Sequence, residues 1–505
     1  MNKQIRKLAA GLLVLYLALF VALNVVQVGK KQELNANPQN NRQTIRDFNR
    51  MRGPIVTADG VVVARSVPPT GASQFKYQRE YPTGDLFSNI TGYYTYSFGS
   101  TQLEKTKHDV LMGDTTLQKV ESVFGGADNT GSVQLTLRND VQEAAARALL
   151  ESVPEGERAT LEGSVVVTDI RTGAVIAMVS LPRFDANQVA THDTKEAENV
   201  LDFLNNYPGK PLLANAYQEN YMPGSSFKVV TTGIAFENGV TSLDRSWPIE
   251  TQWIPPQTID PIQNYGGKAC GGTMTEVFFR SCNIPFAQLA SELGPQRMTD
   301  GVKAWGIGEK LPIDLPGAVA SSFCGNVNPC DAPFFNDQLP LLAIGGFGQG
   351  NDLMVPLQMC MVAATVANGG RMMAPYVVDA TLKHDGTVLQ RTVPYAWKTP
   401  ISPATAATLN TLMVGVVNNG TGKTMQLANG IQAAAKTGTA QLNFVEGQPQ
   451  RSHAWIIGFA PAEAPRYAVA VVIKGTTAEV SASTGGKLAG PIAKQVFDFL
   501  FASEK

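Results

Sequence analysis

Residues 221–230 of this 505-residue chain read YMPGSSFKVV, with two serines and a lysine directly after a Pro-Gly bend and ahead of an apolar run. The bend predicts that Ser225 begins a helix, where free N–H groups and the helix dipole favour negative charge. Residues three apart share a helix face, so the Ser225 hydroxyl and the Lys228 amine can meet. A lysine next to such a positive end, and shielded from water, can lose its proton at neutral pH. The stretch therefore predicts a nucleophile, Ser225, with its own base, Lys228.

Two further motifs strengthen this interpretation, because Ser-x-x-Lys alone arises about once by chance in a chain of this length. The tripeptide SCN occupies residues 281–283, and KTG occupies residues 436–438. Two strand-like runs, HAWIIGFAP and RYAVAVVIKG, follow the KTG motif. The order Ser-x-x-Lys, Ser-x-Asn, Lys-Thr-Gly is the signature of penicillin-binding proteins and serine β-lactamases.

The hydrophobic pattern predicts an α+β domain. A strand pair flanking the turn Arg171-Thr172-Gly173 opens it, and the two runs after KTG close it together with the helical segment GPIAKQVFDFLFAS. Mostly helical and loop sequence lies between, which predicts a sheet built from both ends of the domain. Ahead of it, residues 53–66 predict a β-hairpin, and Asn139 to Val153 a capped amphipathic helix.

Two glycine-rich segments invite other interpretations. GTGKT, from Gly420 to Thr424, resembles a phosphate loop, but the first glycine of that motif would fall at Val417 and no strand precedes it. We interpret it as a turn before the KTG strand. GGFGQGND lacks a following lysine, and we interpret it as a tight structural segment near the active-site helices.

The N-terminus predicts a membrane anchor. Lys3, Arg6 and Lys7 precede an uncharged run over residues 8–28, which is long enough for one membrane-spanning helix. Basic residues in front of the run place residues 1–7 in the cytoplasm and the catalytic domain outside. A cleaved signal peptide is the alternative, although no Ala-x-Ala site follows.

Composition excludes several classes of function. The net charge of −1 gives no indication of a nucleic-acid partner, and four scattered histidines supply neither a zinc site nor a Ser-His-Asp relay, so we expect no metal and no cofactor. Cysteine spacing predicts two disulfides, Cys324–Cys330 and Cys270–Cys282, with Cys360 a buried free thiol. Metal binding is the alternative for the cysteines, but their spacings do not suit it.

Beyond the three motifs, the chain resembles class B penicillin-binding proteins along nearly its whole length after the anchor, and most closely the shorter actinobacterial members. The resembling segments are RMRGPIVTADGVVVA, FGSTQLEKTKHDVLMGD, VQLTLRNDVQEAA, NAYQENYMPGSSFK, GFGQGNDLMVPLQM and HAWIIGFAP. The resemblance implies a transpeptidase domain of the serine β-lactamase/D,D-peptidase type over residues 159–505, with an antiparallel sheet, helices on both faces and an all-helical lobe. It also implies a mostly β pedestal domain over residues 29–158.

The resemblance assigns a role to each motif residue. It makes Ser225 the nucleophile, Lys228 the base, and Ser281 with Lys436 a proton relay. Substrate-binding groups would be the Asn283 amide, Thr437, Gly438 and Thr439. The backbone N–H groups of Ser225 and Thr439 would form the oxyanion hole. Ala435, where glycine is more usual, and Ser226, where threonine is common, depart from the family pattern without removing a reacting group.

The implied activity is D,D-transpeptidation: cross-linking of peptidoglycan stem peptides from lipid II-derived glycan through a serine acyl-enzyme that β-lactams also form. A membrane glycosyltransferase of the shape-and-division type and division proteins are the implied partners. A D,D-carboxypeptidase differs only in transferring the acyl group to water, and a catalytically idle scaffold is a further alternative. A β-lactamase would need a deacylating base, and no Glu-x-x-x-Asn element stands out between the SCN and KTG motifs.

Overall fold

A computed structural model describes residues 2–26, 42–71, 73–119, 129–442, 451–476, 480–481 and 483–503. The chain forms two compact units. The first comprises Met1–Met51 and Val67–Gln78, and the second comprises Arg52–Ser66 and Arg79–Lys505.

The strands are numbered in chain order. They are β1 Ile55–Val56, β2 Val62–Val67, β3 Gln78–Glu80, β4 Tyr94–Thr95, β5 Gly99–Ser100, β6 Ser132–Leu135, β7 Gly163–Asp169, β8 Val175–Leu181, β9 Ser246–Glu250, β10 Gln252–Trp253, β11 Ile262–Gln263, β12 Cys270–Thr273, β13 Met372–Met373, β14 Val378–Leu382, β15 Val388–Arg391, β16 Ala396–Lys398, β17 Ala434–Gln441, β18 Ser452–Ala460 and β19 Tyr467–Ile473.

The helices are numbered in the same way. They are α1 Asn2–Asn24, α2 Arg42–Phe48, α3 Ser88–Thr91, α4 Gln102–Thr106, α5 His108–Met112, α6 Asn139–Leu150, α7 Ala186–Val189, α8 Thr194–Asn206, α9 Asn215–Gln218, α10 Lys228–Glu237, α11 Met274–Phe279, α12 Ile284–Ala304, α13 Ala332–Asn336, α14 Leu339–Gly345, α15 Pro356–Ala367, α16 Pro403–Asn418 and α17 Gly485–Ser503. A 3-10 turn, Gly224–Phe227, leads directly into α10.

The central sheet has five antiparallel strands in the order β17-β18-β19-β7-β8. It combines the first two strands of the catalytic segment with the last three, as the hydrophobic pattern predicts. Side chains of successive residues point to opposite faces of a strand. Val165, Val469 and Val471 accordingly pack into one core, and Val166, Ala468 and Ala470 pack into another.

Helices cover both faces of this sheet. α6 and α17 pack on one face, where Val496 and Phe497 are fully buried, and α15 packs on the other. Helices α10, α11, α12, α14 and α16 contact one another beside β17 and form the predicted helical lobe. The predicted α+β fold, with a helix-covered antiparallel sheet and a helical lobe, is thereby confirmed. The 3-10 turn before α10 lies against β17, so the lobe meets the sheet at its edge strand.

A second sheet has the order β15-β14-β6-β1-β2-β3. The predicted hairpin provides β1 and β2, whereas β14 and β15 come from within residues 159–505 and pair next to β6. Helix α6, which precedes residue 158, packs on the five-stranded sheet instead. Segments from before and after residue 158 therefore pack together in both sheets.

Helix α6 ends at Leu150 rather than at the predicted Val153, and its first turn is capped from elsewhere. The Asp59 carboxylate accepts hydrogen bonds from Asn139 N at 2.9 Å and Asp140 N at 3.3 Å. The cap therefore comes from the turn of the β1–β2 hairpin.

In the first unit, α1 contains a span from Lys3 to Asn24 that is long and apolar enough to cross a membrane. Residues 27 and 28 of the predicted 8–28 anchor lie outside the described residues. Elsewhere in this unit, the rings of Phe48 and Phe75 pack 5.2 Å apart.

Candidate active site

The Ser-x-x-Lys motif forms the 3-10 turn and the first residue of α10. Ser225 is partly exposed there, whereas Ser226 is buried and its hydroxyl donates to Pro223 O at 2.8 Å. Gly224 begins the turn with φ +54°, and a Cβ atom on it would lie 2.7 Å from the Thr439 carbonyl. Glycine therefore permits both the backbone conformation and the approach of the turn to β17.

The Lys228 amine is fully buried between the lobe and the sheet. It donates to Ser281 O at 2.9 Å, Cys282 O at 2.6 Å and Asn283 Oδ1 at 3.0 Å, and it lies 3.4 Å from Ser281 Oγ. Among the described residues, none of its hydrogen bonds reaches Ser225, the contact that helical spacing makes possible. Bonds between catalytic groups are often long before substrate binds.

The Ser281 hydroxyl connects the two lysines of the motifs. Lys436 Nζ donates to Ser281 Oγ at 2.8 Å and to Thr437 O at 3.1 Å. The backbone of Ser281 has φ +62°, a left-handed conformation that is uncommon for a residue with a side chain. Ser281 thus occupies the position between Lys228 and Lys436, held in a conformation that needs support from its surroundings.

Residues of the KTG motif form the middle of edge strand β17. A Cβ atom on Gly438 would lie 2.5 Å from Pro223 O and 3.1 Å from Ser226 N, so the strand needs glycine to pack against the 3-10 turn. Thr437 approaches Thr421 through their hydroxyl groups, and Thr439 Oγ1 accepts from Gly485 N at 3.3 Å. The strand thus places its polar groups beside the 3-10 turn that contains Ser225.

Burial sets the charge state of both lysines. It lowers the pKa of the Lys228 amine well below its usual range, and the positive charge of Lys436 lowers it further. Burial also lowers the pKa of Lys436 to about 7. The three oxygens that accept from Lys228 favour its ammonium form and oppose part of the decrease. Lys436 can therefore accept and return a proton near neutral pH, and burial favours the neutral form of Lys228.

An open cleft of about 740 Å³ contains these groups. Of the predicted catalytic and substrate-binding residues, all line this cleft except the two buried lysines, Lys228 and Lys436, and Gly438. The lining residues are Ser225, Pro261, Ile262, Gln263, Asn264, Tyr265, Gly266, Gly267, Arg280, Ser281, Asn283, Ile344, Phe347, Gln349, Thr421, Thr437, Thr439, Gln441, Thr484 and Gly486.

Several residues at this cleft escaped the sequence analysis. The side-chain amide of Gln349, in the glycine-rich segment interpreted as structural, lies within 3.3 Å of main-chain atoms of Thr439 and Gln441. Trp455 Nε1 donates to Met222 O at 2.9 Å, just before the 3-10 turn that contains Ser225. The strand run HAWIIGFAP contains this tryptophan, but its pattern does not indicate which chain segment the indole contacts.

Both cysteine pairs proposed from spacing are joined in the structure. Cys270 and Cys282 are 5.7 Å apart at Cα, so a disulfide ties β12 to the middle residue of the SCN motif. Cys324 and Cys330 close a short loop with a Cα separation of 5.6 Å. Cys360 is a buried free thiol on α15.

A helix-covered antiparallel sheet with these three motifs at its edge strand is the arrangement of the penicillin-recognising serine enzymes. The family model for the penicillin-binding protein transpeptidase domain matches residues 163–498. A second model, the penicillin-binding protein A dimerisation domain, matches residues 52–133.

Similar proteins narrow the class. The chain is 35% identical to peptidoglycan D,D-transpeptidase PbpA of Mycolicibacterium smegmatis, over 98% of each chain, and 33% identical to PbpA of Mycobacterium tuberculosis, over the full length of both. Penicillin-binding protein A of M. tuberculosis, solved as a ceftriaxone acyl-enzyme, superposes with a TM-score of 0.81 at 30% identity, covering 90% of this chain and 99% of that one. This chain belongs to the penicillin-binding protein transpeptidase family and is a peptidoglycan D,D-transpeptidase.

Proposed function

We propose that Ser225 is the acylated nucleophile of this enzyme, that Lys228 is its base, and that Ser281 with Lys436 relays the proton to the leaving group. The observation that carries the proposal is the continuous series of polar contacts from Lys228 through Ser281 to Lys436. It begins three residues from Ser225 and opens into the same cleft.

In the first step, neutral Lys228 takes the Ser225 proton while Ser225 Oγ attacks the penultimate D-Ala carbonyl of a stem peptide. The resulting oxyanion accepts hydrogen bonds from the Ser225 and Thr439 backbone N–H groups. The carbon–nitrogen bond then breaks, and the departing D-Ala amine receives a proton from Lys228 through Ser281. The products are a Ser225 ester and free D-Ala.

In the second step, the amine of a neighbouring stem attacks the ester. The amine gives up a proton to the relay, the carbon–oxygen bond breaks, and Ser225 regains its hydrogen. Asn283 would donate its side-chain amide to a substrate carbonyl. Thr437 and Thr439 would bind the terminal carboxylate, with Gly438 allowing the strand to lie close by. Lys436 contributes the positive charge that attracts that carboxylate.

We further propose that α1 anchors the chain, with residues 1–7 in the cytoplasm and the catalytic domain outside. We also propose that residues 29–158 form a pedestal domain and that residues 159–505 form the transpeptidase domain. Family membership supports a membrane glycosyltransferase of the shape-and-division type and division proteins as partners.

The test uses the full-length chain in detergent with a fluorescent penicillin. We expect stable label on the wild type and none on Ser225→Ala. The matched control, Ser226→Ala, removes the neighbouring hydroxyl and should still become labelled. Label on Ser225→Ala would refute the assignment of the nucleophile, and an unlabelled wild type would favour an idle scaffold.

A second assay separates transpeptidase from carboxypeptidase. A stem pentapeptide is supplied with an amine acceptor, and released D-Ala is compared with cross-linked product. We expect most of the released D-Ala to be matched by cross-links. Release matched mainly by the shortened free peptide would favour a D,D-carboxypeptidase.

A further inference from the structure

Helix α12 begins directly after Asn283, but this asparagine does not cap it. Its side chain makes no hydrogen bond to the first turn, and its backbone angles, φ −93° and ψ −46°, are helical rather than those of a capping residue. Its Oδ1 atom accepts from Lys228 Nζ instead. The first N–H groups of α12 therefore need an acceptor from another segment.

Asn264 supplies that acceptor from 19 residues earlier in the chain. Its Oδ1 atom accepts from Asn283 N at 2.8 Å and from Ile284 N at 3.2 Å. Its Nδ2 atom donates to Glu250 O at 2.9 Å, and only 4% of the residue is exposed. Both ends of the buried amide are thus satisfied, which fixes its orientation.

Two further contacts hold the same part of the SCN motif, Cys282 and Asn283. Asn283 Nδ2 donates to Gln263 O at 3.1 Å, and Cys282 is joined to Cys270. The segment from Glu250 to Cys270 therefore contacts Cys282 and Asn283, the same two residues whose oxygens accept from Lys228. Ser281, with its left-handed backbone, lies immediately before these two residues.

We propose that Asn264 is a positioning residue for acyl transfer. It takes over the capping of α12 and so leaves the Asn283 side chain to contact Lys228. It also fixes the peptide that follows Ser281 and Cys282, whose carbonyl groups accept from the same amine. The inference rests on the proposed roles of Lys228 and Ser281, and it adds a residue that lies outside all three motifs.

The test compares two variants of the full-length enzyme by their rate of acylation with a chromogenic cephalosporin. Asn264→Leu removes all three hydrogen bonds. We expect a decrease of about 10- to 100-fold, because small displacements of reacting groups have effects of this size. Asn264→Asp keeps both acceptor contacts and loses only the donation to Glu250 O, and a carboxylate is favourable at a helix N-terminus. We expect it to recover most of the lost rate at its optimum pH.

The aspartate variant also has a specific signature in the pH profile. Its negative charge near Asn283 and Lys228 favours the ammonium form of Lys228. The rising limb of the pH–rate profile of acylation should therefore move by about one unit to higher pH. Asp260→Asn is the matched control, since Asp260 is exposed in the same loop, and within the described part of the chain its hydrogen bond comes from the backbone N–H alone. It exchanges the same two groups and should leave the rate and the limb unchanged.

Recovery by aspartate over leucine, with a displaced limb, supports the proposal. Wild-type rates and limbs in both variants would overturn it, as would an aspartate variant that is as slow as the leucine variant at every pH. If Asn264→Leu does not fold, the pH profile of Asn264→Asp decides. A rising limb that stays in the wild-type position would overturn the proposal. Failure of the proposed function is distinguishable, because the wild type would then not be acylated at Ser225.

Discussion

Replacing Lys436 by methionine tests whether the positive charge of Lys436 lowers the pKa of Lys228. Methionine keeps most of the length of the side chain and removes its amine. Lys436 Nζ and Lys228 Nζ lie 2.8 and 3.4 Å from the same Ser281 oxygen, so the two amines are no more than about 6 Å apart. At an effective dielectric constant of about 20, that separation corresponds to a repulsion of about 3 kcal/mol, or about 2 pKa units.

The sign of the effect follows from this repulsion. A charged Lys436 disfavours the ammonium form of Lys228, so its removal raises the Lys228 pKa. Because Lys436 itself has a pKa of about 7, it carries only part of its charge near neutrality, and we expect the Lys228 pKa to rise by less than the full repulsion would give. Less Lys228 is then neutral at any given pH, and the rising limb of acylation moves by the same amount to higher pH.

The assay is the second-order rate of acylation by a chromogenic cephalosporin, measured across the stable pH range. Lys436→Arg is the charge-preserving control: since arginine stays protonated, its limb should not move to higher pH. In both variants the maximum rate of acylation should decrease, because the contact between residue 436 and Ser281 changes. A methionine variant that is slower at every pH, with its limb in the wild-type position, would refute the electrostatic reasoning.

Three further predictions follow from single contacts. Replacing Cys270 and Cys282 together by serine should lower the free energy of unfolding by up to about 3 kcal/mol, judged from a 12-residue separation, and slow acylation; denaturant unfolding and labelling measure these effects. Gly438→Ala places a methyl group against Pro223 O and should reduce acylation about 100-fold, measured with the same cephalosporin. Asp352→Asn should raise the midpoint of thermal unfolding at pH 8 but hardly at pH 4. Burial raises the pKa of the Asp352 carboxyl well above its usual range, so keeping it neutral costs the folded state more free energy as pH rises. Equal increases at both pH values would contradict this.

Local pattern sufficed for much of the architecture. The strand pairs that open and close the catalytic segment have continuous apolar runs because both faces of the sheet are covered, and such runs are visible in the sequence. The apolar N-terminal run likewise predicts α1. The motif residues Ser225 and Lys436 were identifiable because their chemistry requires fixed neighbours along the chain.

Contacts between distant segments left no such signal. Strands β14 and β15 alternate like any surface hairpin, and nothing in them indicates that β14 pairs with β6, about 240 residues earlier in the chain. The cap of α6 comes from Asp59, and that of α12 from Asn264. Each is a polar residue in a turn or loop, where asparagine and aspartate are common for local reasons.

The SCN motif illustrates why residue identities were predictable and their geometry was not. A left-handed Ser281 is unfavourable by about 1–3 kcal/mol, so the local sequence alone would not hold it. It is held by contacts to the next two residues: Lys228 on the carbonyl of Cys282, the disulfide on its side chain, and Asn264 on the N–H of Asn283. These supports come from two separate segments, α10 and the stretch from Glu250 to Cys270, and together they place one hydroxyl between two buried amines. A motif specifies the reacting groups, and the surrounding fold determines whether they can react.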